Sequence, residues 1–364
     1  MKIMYDYQVF SSQEYGGVSR YHIELKKAID ALEKTESKIV APFSINYYLQ
    51  EFGVHKWNYP NQRVIRKAMK IVGNSINKLY CEIESRKNDI VHATWYDPYI
   101  LKSSSNKLVV TIHDMIHEIY WSERAKKEIE HKKQFIYKSS AIIAISENTK
   151  KDILKFYPDI PEEKISVVYH GTNHLPKACK PDKELPDKYI LYVGQREDYK
   201  NATFFIRAMK EILDKYEDIK ILFVGGNEFS EDEISVFKEL NIDNRVMRVK
   251  LNDAELAYIY NKAVCFVYPS LYEGFGFPIL EAFDNECPVI CTNSSSLPEV
   301  GRDAAMYFNE GDADMLQKYV VDMLEDNDLR RKYIMMGKER VKDFTWEKCA
   351  KDTLEVYSKL YFKE

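Results

Sequence analysis

Short apolar runs rich in Val, Ile and Tyr punctuate this chain, and longer stretches with helical spacing lie between them. The runs are KIMYDYQVF (2–10), DIVHATW (89–95), KLVVTIHD (107–114), AIIAIS (141–146) and KISVVYHG (164–171). A second series is YILYVG (189–194), KILFVGG (220–226), RVMRVKL (245–251), CFVYPS (265–270), CPVICT (287–292) and AAMYF (304–308). Each is too short for a helix and reads as a strand. Among the intervening stretches, SRYHIELKKAIDALEK, SENTKKDILKFY and DAELAYIYNKA read as helices. Strand–helix alternation predicts parallel sheets built from βαβ units, an α/β fold.

The alternation starts afresh after PKACKPDKELPDK, a polar segment with three prolines and no apolar periodicity. The expected organisation is a doubly wound Rossmann-like domain over 1–175, a linker over 176–188 and a second such domain over 189–344, the two facing across a cleft. The amphipathic segment 345–364 is expected as a C-terminal helix crossing back to the first domain. The length of 364 residues suits two domains.

With 45% hydrophobic and 30% charged residues and a formal net charge of −4, the chain reads as soluble and globular, with nothing to favour nucleic acid. Six scattered cysteines offer one Cys-x3-Cys and no second pair, so they read as reduced thiols rather than a zinc site. No secretory signal and no membrane span are read, which favours a cytoplasmic protein. Residues 61–87 carry seven Lys or Arg against two Glu, with Val64, Ala68, Ile71, Val72 and Ile76 on one helical stripe. Such a helix can lie peripherally on an anionic membrane, at the cytoplasmic face of the inner membrane; a solvated cationic surface helix is the plain alternative.

Two loops carry the chemistry. In YVGQREDYKN (192–201), Arg196 and Lys200 follow a strand end and precede a helix, where a phosphate can sit; the plain alternative pairs them with Glu197 and Asp198. In YEGFGFPILE (272–281), Glu273 and Glu281 flank Gly274, Phe275, Gly276 and Phe277. Gly-Phe-Gly-Phe-Pro cannot sit inside a helix, so it reads as a tight loop before one. Its glycines let backbone N–H groups approach an anion, and Glu281 one turn into the helix suits the two hydroxyls of a ribose. Glu273 can hold sugar hydroxyls, and the ligand implied is a nucleotide sugar. His113 ends a strand and reads either as a site residue or as a satisfied structural one. Asp312–Asp314 and Asp326–Asp328 read as solvated acids, and no metal site is expected.

The two glutamates with seven residues between them match the paired-glutamate motif of the retaining glycosyltransferases of family 4, which have the GT-B fold. SLYEGFGFPILEAF, SSLPEV (295–300), YGGVSRY (15–21), TIHDMIHE (111–118) and AISENTKKDI (144–153) resemble the family's segments in order, over nearly the whole chain. FDNE (283–286) departs from the small-residue stretch common at that place.

The resemblance implies that Glu281 binds the donor ribose and that Glu273 contacts the transferred sugar. It implies that Gly274 to Phe277 line the sugar and diphosphate, and that Arg196 and Lys200 neutralise the diphosphate without a metal. It further implies that Gly17 lets the chain approach the phosphates, that His113 reaches the reacting sugar, and that Lys250 and Leu251 contact the base. The catalytic set is then His113, Glu273, Arg196 and Lys200. The expected function is a retaining, metal-independent hexosyltransferase without a cofactor. GDP-mannose is the first donor and a UDP-hexose the next. The acceptor is a glycan or lipid-linked glycan in polysaccharide or lipopolysaccharide O-antigen assembly. A sugar-nucleotide epimerase of similar fold, or a non-catalytic nucleotide-sugar-binding partner, is the alternative.

Overall fold

A computed structural model of the chain describes residues 1–32, 35–54, 63–102, 107–172, 174–196 and 198–362. It divides into two compact units, Met1–Gly171 with Thr345–Glu364, and Thr172–Phe344. The polar segment 176–188 belongs to the second unit, where Cys179 N donates to Ala254 O and Lys183 Nζ to Lys250 O.

In the first unit the strands are β1 (Lys2–Tyr5), β2 (Glu36–Ile39), β3 (Ile90–Ala93), β4 (Lys107–Ile112), β5 (Ala141–Ala144) and β6 (Ile165–Val167). They form one parallel sheet in the order β2-β1-β3-β4-β5-β6. In the second unit, β7 (Lys188–Val193), β8 (Ile219–Val224), β9 (Val246–Val249), β10 (Cys265–Tyr268), β11 (Val289–Thr292) and β12 (Ala305–Phe308) order as β12-β11-β10-β7-β8-β9. IVHA, AIIA, CFVY and VICT are buried along their whole length, which is why they read as unbroken apolar runs.

Two expectations need correction. The run 2–10 is not one strand: β1 stops at Tyr5, and Gln8–Ser12 is a short, mostly buried helix. Its apolar residues come from burial, not from strand pairing. The edge strand β2, ESKI, was not expected, because its exposed, polar sequence carries no apolar run.

Caps fix several helices. Ser230 and Asn252 form capping boxes with Glu233 and Glu255. Asp312 and Asp326 accept backbone N–H bonds at the starts of Ala313–Glu325 and Asn327–Val341, so these acids serve as N-caps. The C-terminal helix Trp346–Tyr361 packs Cys349, Ala350, Val356 and Tyr357 into the core of the first unit with Ile3, Tyr5, Tyr21 and Val109. At its start the chain passes so close to Gly171 that a Cβ there would lie 2.4 Å from Trp346 N. No helix among the described residues is long and apolar enough to cross a membrane.

One buried ion pair was invisible to sequence reading. Lys132 Nζ lies 2.8 Å from Glu118 Oε2 and 3.0 Å from Asp114 O, and both side chains are almost fully enclosed. Replacing Lys132 with Met is expected to cost about 3–5 kcal/mol, because Glu118 is left buried without its cation. The double replacement Lys132→Met with Glu118→Leu should regain most of that loss in chemical denaturation; equal losses for single and double variants would refute the pairing.

Candidate donor site

Each sheet has one place where the strand order reverses. In the second unit it lies between β7, which leads to β8 and β9, and β10, which leads to β11 and β12. Loops leaving the carboxyl ends of such strands form the natural ligand crevice of a doubly wound sheet. The loop after β7 holds Arg196 and Lys200; the loop after β10 holds Glu273 to Gly276. Leu271 N donates to Tyr199 O at 2.8 Å and ties the two loops together.

Lys200 Nζ donates to Glu273 Oε1 at 2.6 Å, with both side chains largely covered. The ammonium also lies 5.7 Å from the Tyr268 ring centre. Burial, with Glu273 next to it, pushes the Tyr268 phenol well above its ordinary pKa. The switch point therefore carries one cation and one carboxylate on facing loops.

The second loop is fastened by the segment that follows β11. Glu273 N donates to Ser295 Oγ at 2.9 Å, and Ser296 Oγ lies 2.8 Å from both Glu273 O and Phe275 O as their donor. Gly276 has φ +115, a conformation that favours glycine, and a Cβ there would come 3.1 Å from Leu297. It caps the helix Phe277–Asp284, with Pro278 in the first turn. Phe275 packs its ring on Phe277 and on Phe344. The SSLPEV segment thus shapes the glycine loop, a role its sequence did not disclose.

Glu281 stands on that helix, and its Oε2 accepts from the Tyr260 hydroxyl at 3.2 Å. Arg196 has partners of its own, different from that of Lys200. It donates through Nε to Glu233 and through Nη2 to Asn227 O at 2.7 Å and Glu228 O at 3.2 Å, on the β8 side. Its Nη1 is buried and has no hydrogen-bond partner among the described residues. Glu197, the alternative partner for these cations, lies outside the described residues. Lys250 and Leu251 follow β9, Lys250 exposed and Leu251 half-buried.

In the first unit, Gly17 opens the helix Gly17–Ala31, and a Cβ there would meet nothing within 4 Å. His113 follows β4, with its ring stacked 5.6 Å from that of His170 and edge-on to Tyr21. Burial pulls its pKa down to about 4, so the imidazole is neutral at pH 7. Tyr260, Tyr268 and Glu233 are residues of the candidate site that the sequence did not single out, and the two serines stood in SSLPEV without an assigned role. All of them come from segments remote from the two loops or from the strand itself.

Comparison with known proteins places the sequence and the fold. Residues 15–174 match the model described as "Glycosyltransferase Family 4", and residues 178–340 match "Glycosyl transferases group 1". O-antigen chain mannosyltransferase B of Escherichia coli is 27% identical over 293 residues, covering 75% of this chain and 75% of that protein. O-antigen chain mannosyltransferase RfbU of Salmonella typhimurium is 29% identical over 223 residues, covering 60% of this chain and 61% of that protein. Sucrose-phosphate synthase from Thermosynechococcus elongatus shares the fold with a TM-score of 0.71 at 18% identity, covering 100% and 99% of the two chains. Anabaena HepE, solved in complex with UDP and glucose, gives 0.74 at 14% identity, covering 98% and 99%. With the two family matches together spanning nearly its whole length, the chain belongs to the GT-B glycosyltransferases that join a family 4 N-terminal half to a group 1 C-terminal half.

Proposed function

We propose that the chain transfers a hexose, mannose first, from a nucleotide diphosphate sugar to a glycan or lipid-linked glycan, with retention of configuration, during O-antigen or related polysaccharide synthesis. The observation that carries this reading is the Lys200–Glu273 pair at the switch point of the second sheet. A diphosphate sugar presents an anion beside a ring of hydroxyls. It can exchange that internal pair for two external ones, phosphate on Lys200 and sugar hydroxyls on Glu273. GDP-mannose is preferred because of the mannosyltransferase names of the relatives, with a UDP-hexose next.

Breaking the glycosyl–phosphate bond makes the sugar oxocarbenium-like and loads negative charge on the diphosphate. Lys200 and the glycine-loop backbone (Gly274 to Phe277) stabilise that charge where it develops. Arg196 contributes the guanidinium nitrogen left over from its contacts with Glu233 and the Asn227–Glu228 backbone. Lys250 and Leu251 are assigned to the base, and Gly17 and His113 to the phosphates and the reacting sugar. Nothing in the described packing around Gly17 requires glycine, so the requirement is assigned to a substrate. The acceptor hydroxyl attacks from the face the diphosphate leaves, and its proton passes to the departing phosphate. No protein carboxylate serves as nucleophile, and no metal or cofactor is invoked.

The test is the isolated protein with GDP-mannose, UDP-glucose and UDP-galactose, without acceptor. Slow release of nucleotide from one donor supports a transferase; an isomerised sugar still joined to its nucleotide would mean an epimerase, and no turnover with tight binding a non-catalytic partner. Glu281→Ala is expected to weaken donor binding about 10- to 100-fold, the loss of a charged hydrogen-bond acceptor, with little change in turnover. Isothermal titration with the donor and initial rates separate the two. An unchanged affinity would remove Glu281 from the ribose.

A further inference from the structure

The helix Arg63–Ser85 is built inside out for a soluble domain. Among its described side chains the buried positions are Gly73, Asn77, Cys81 and Ser85, four apart on one small, polar face. Asn77 exchanges hydrogen bonds with the backbone of Phe43, at 2.9 and 2.8 Å, and Cys81 donates to Val40 O. On the opposite side, Val64, Ile65, Ile71, Val72, Leu79 and Ile83 are exposed, Val64 by 81% and Ile71 by 59%. At 100° per residue these six lie in one sector centred about opposite the buried face. A helix whose apolar stripe served the core would point it the other way.

We infer that this stripe docks on an anionic lipid surface and holds the first unit against it. Charge selects the occupant. From position 63 to 80 the sequence offers Arg63, Arg66, Lys67, Lys70 and Lys78 and no acid. Lys67 and Lys70 are exposed, whereas Lys78 pairs with Asp97. A second copy of this helix would set like charges against like. Anionic headgroups complement the cations while acyl chains take the apolar stripe, the arrangement of an interfacial helix. The inference gives the proposed lipid-linked acceptor a surface to be met on, but it stands on the helix alone.

Sedimentation with vesicles tests it on the full chain. The protein is expected to bind phosphatidylglycerol–phosphatidylcholine vesicles at least about tenfold more tightly than pure phosphatidylcholine, and less tightly as salt rises. Ile71→Ser with Val72→Ser should lower that binding about tenfold. Both side chains are exposed, so circular dichroism and donor hydrolysis in solution should not change. Lys67→Glu with Lys70→Glu should abolish the preference for the anionic vesicles. Equal or absent binding to both vesicles, binding indifferent to the serine pair, or a dimer in solution that this pair dissociates would each overturn the inference. Donor hydrolysis without vesicle binding would leave the transferase reading standing and sink only this one.

Discussion

The first unit is expected to lose most of its stability between about pH 6.5 and pH 4.5, above the range where ordinary carboxylates titrate. The cause is a cluster of four imidazoles, three of them fully buried and that of His113 half-buried. His22 comes from the helix Gly17–Ala31, His92 from β3, His113 from the end of β4 and His170 from the stretch after β6. His22 and His92 have ring centres 5.2 Å apart, and His113 and His170 5.6 Å apart. His92 holds the Tyr357 hydroxyl at 2.6 Å and the Thr111 hydroxyl at 2.8 Å. Burial, and then the neighbouring histidines for His22, His92 and His170, hold the cluster neutral. His92 is lowered to about 3 and His113 to about 4, and His22 and His170 well below the ordinary value.

In the unfolded chain the same four titrate near pH 6.5. Below that pH the unfolded state binds more protons than the folded one, so stability falls as pH falls. Each histidine contributes about 1.4 kcal/mol per pH unit until its folded pKa is reached, and four together contribute about 5. That is enough to exhaust an ordinary domain within two units. Asp6 opposes the trend: burial raises its folded pKa, so its protonation favours the folded state at low pH.

All four tryptophans, at 57, 95, 121 and 346, belong to the first unit, so their fluorescence in urea reports it alone. His22→Phe should flatten the slope by about one proton. Stability that stays level from about pH 7.5 to pH 5 would show that the cluster is hydrated and charged in solution.

Neither this cluster nor the ion pairs could be read along the chain. The histidines lie between positions 22 and 170, and only the sheet order β3-β4-β5-β6, with the helix Gly17–Ala31 packed against the same core, brings them together. What was legible was whatever burial writes locally. Strands enclosed on both faces appear as apolar runs, and of the twelve strands among the described residues eleven fall in runs visible in the sequence, the partly buried β6 and β9 included. β2, at an edge, shows only ESKI and was missed. The loop YEGFGFPILE was legible because glycine and proline punctuate it whatever they pack against. The serines that fasten it were not, since Ser295 and Ser296 act on backbone more than twenty positions away. The amphipathic helix within 61–87, described as Arg63–Ser85, was legible as well. Which face it turns outward depends on Phe43 and Val40, and no periodicity reports that.

Lys200→Ala is expected to lower turnover about 100- to 1000-fold, the usual effect of removing one group that stabilises charge in the transition state. This corresponds to about 3–4 kcal/mol. Two effects add here. The departing diphosphate loses the cation that faces its growing charge. Glu273, largely covered and deprived of its partner, then confronts that diphosphate as a second negative group. The second effect makes the variant distinguishable from simple loss of a contact. Removing the carboxylate as well, in Lys200→Ala with Glu273→Gln, should recover part of the turnover, although Glu273→Gln alone lowers it. Independent contributions would instead multiply. Lys200→Arg keeps the charge but replaces a compact ammonium with a planar fork, and should fall between. Single-turnover rates at saturating donor isolate the step, and thermal melting of each variant tests for collapse of the loops. A Lys200→Ala enzyme within about threefold of the wild-type rate would mean that the cation only pins Glu273 in place, and that the leaving diphosphate is stabilised by the glycine-loop backbone and Arg196.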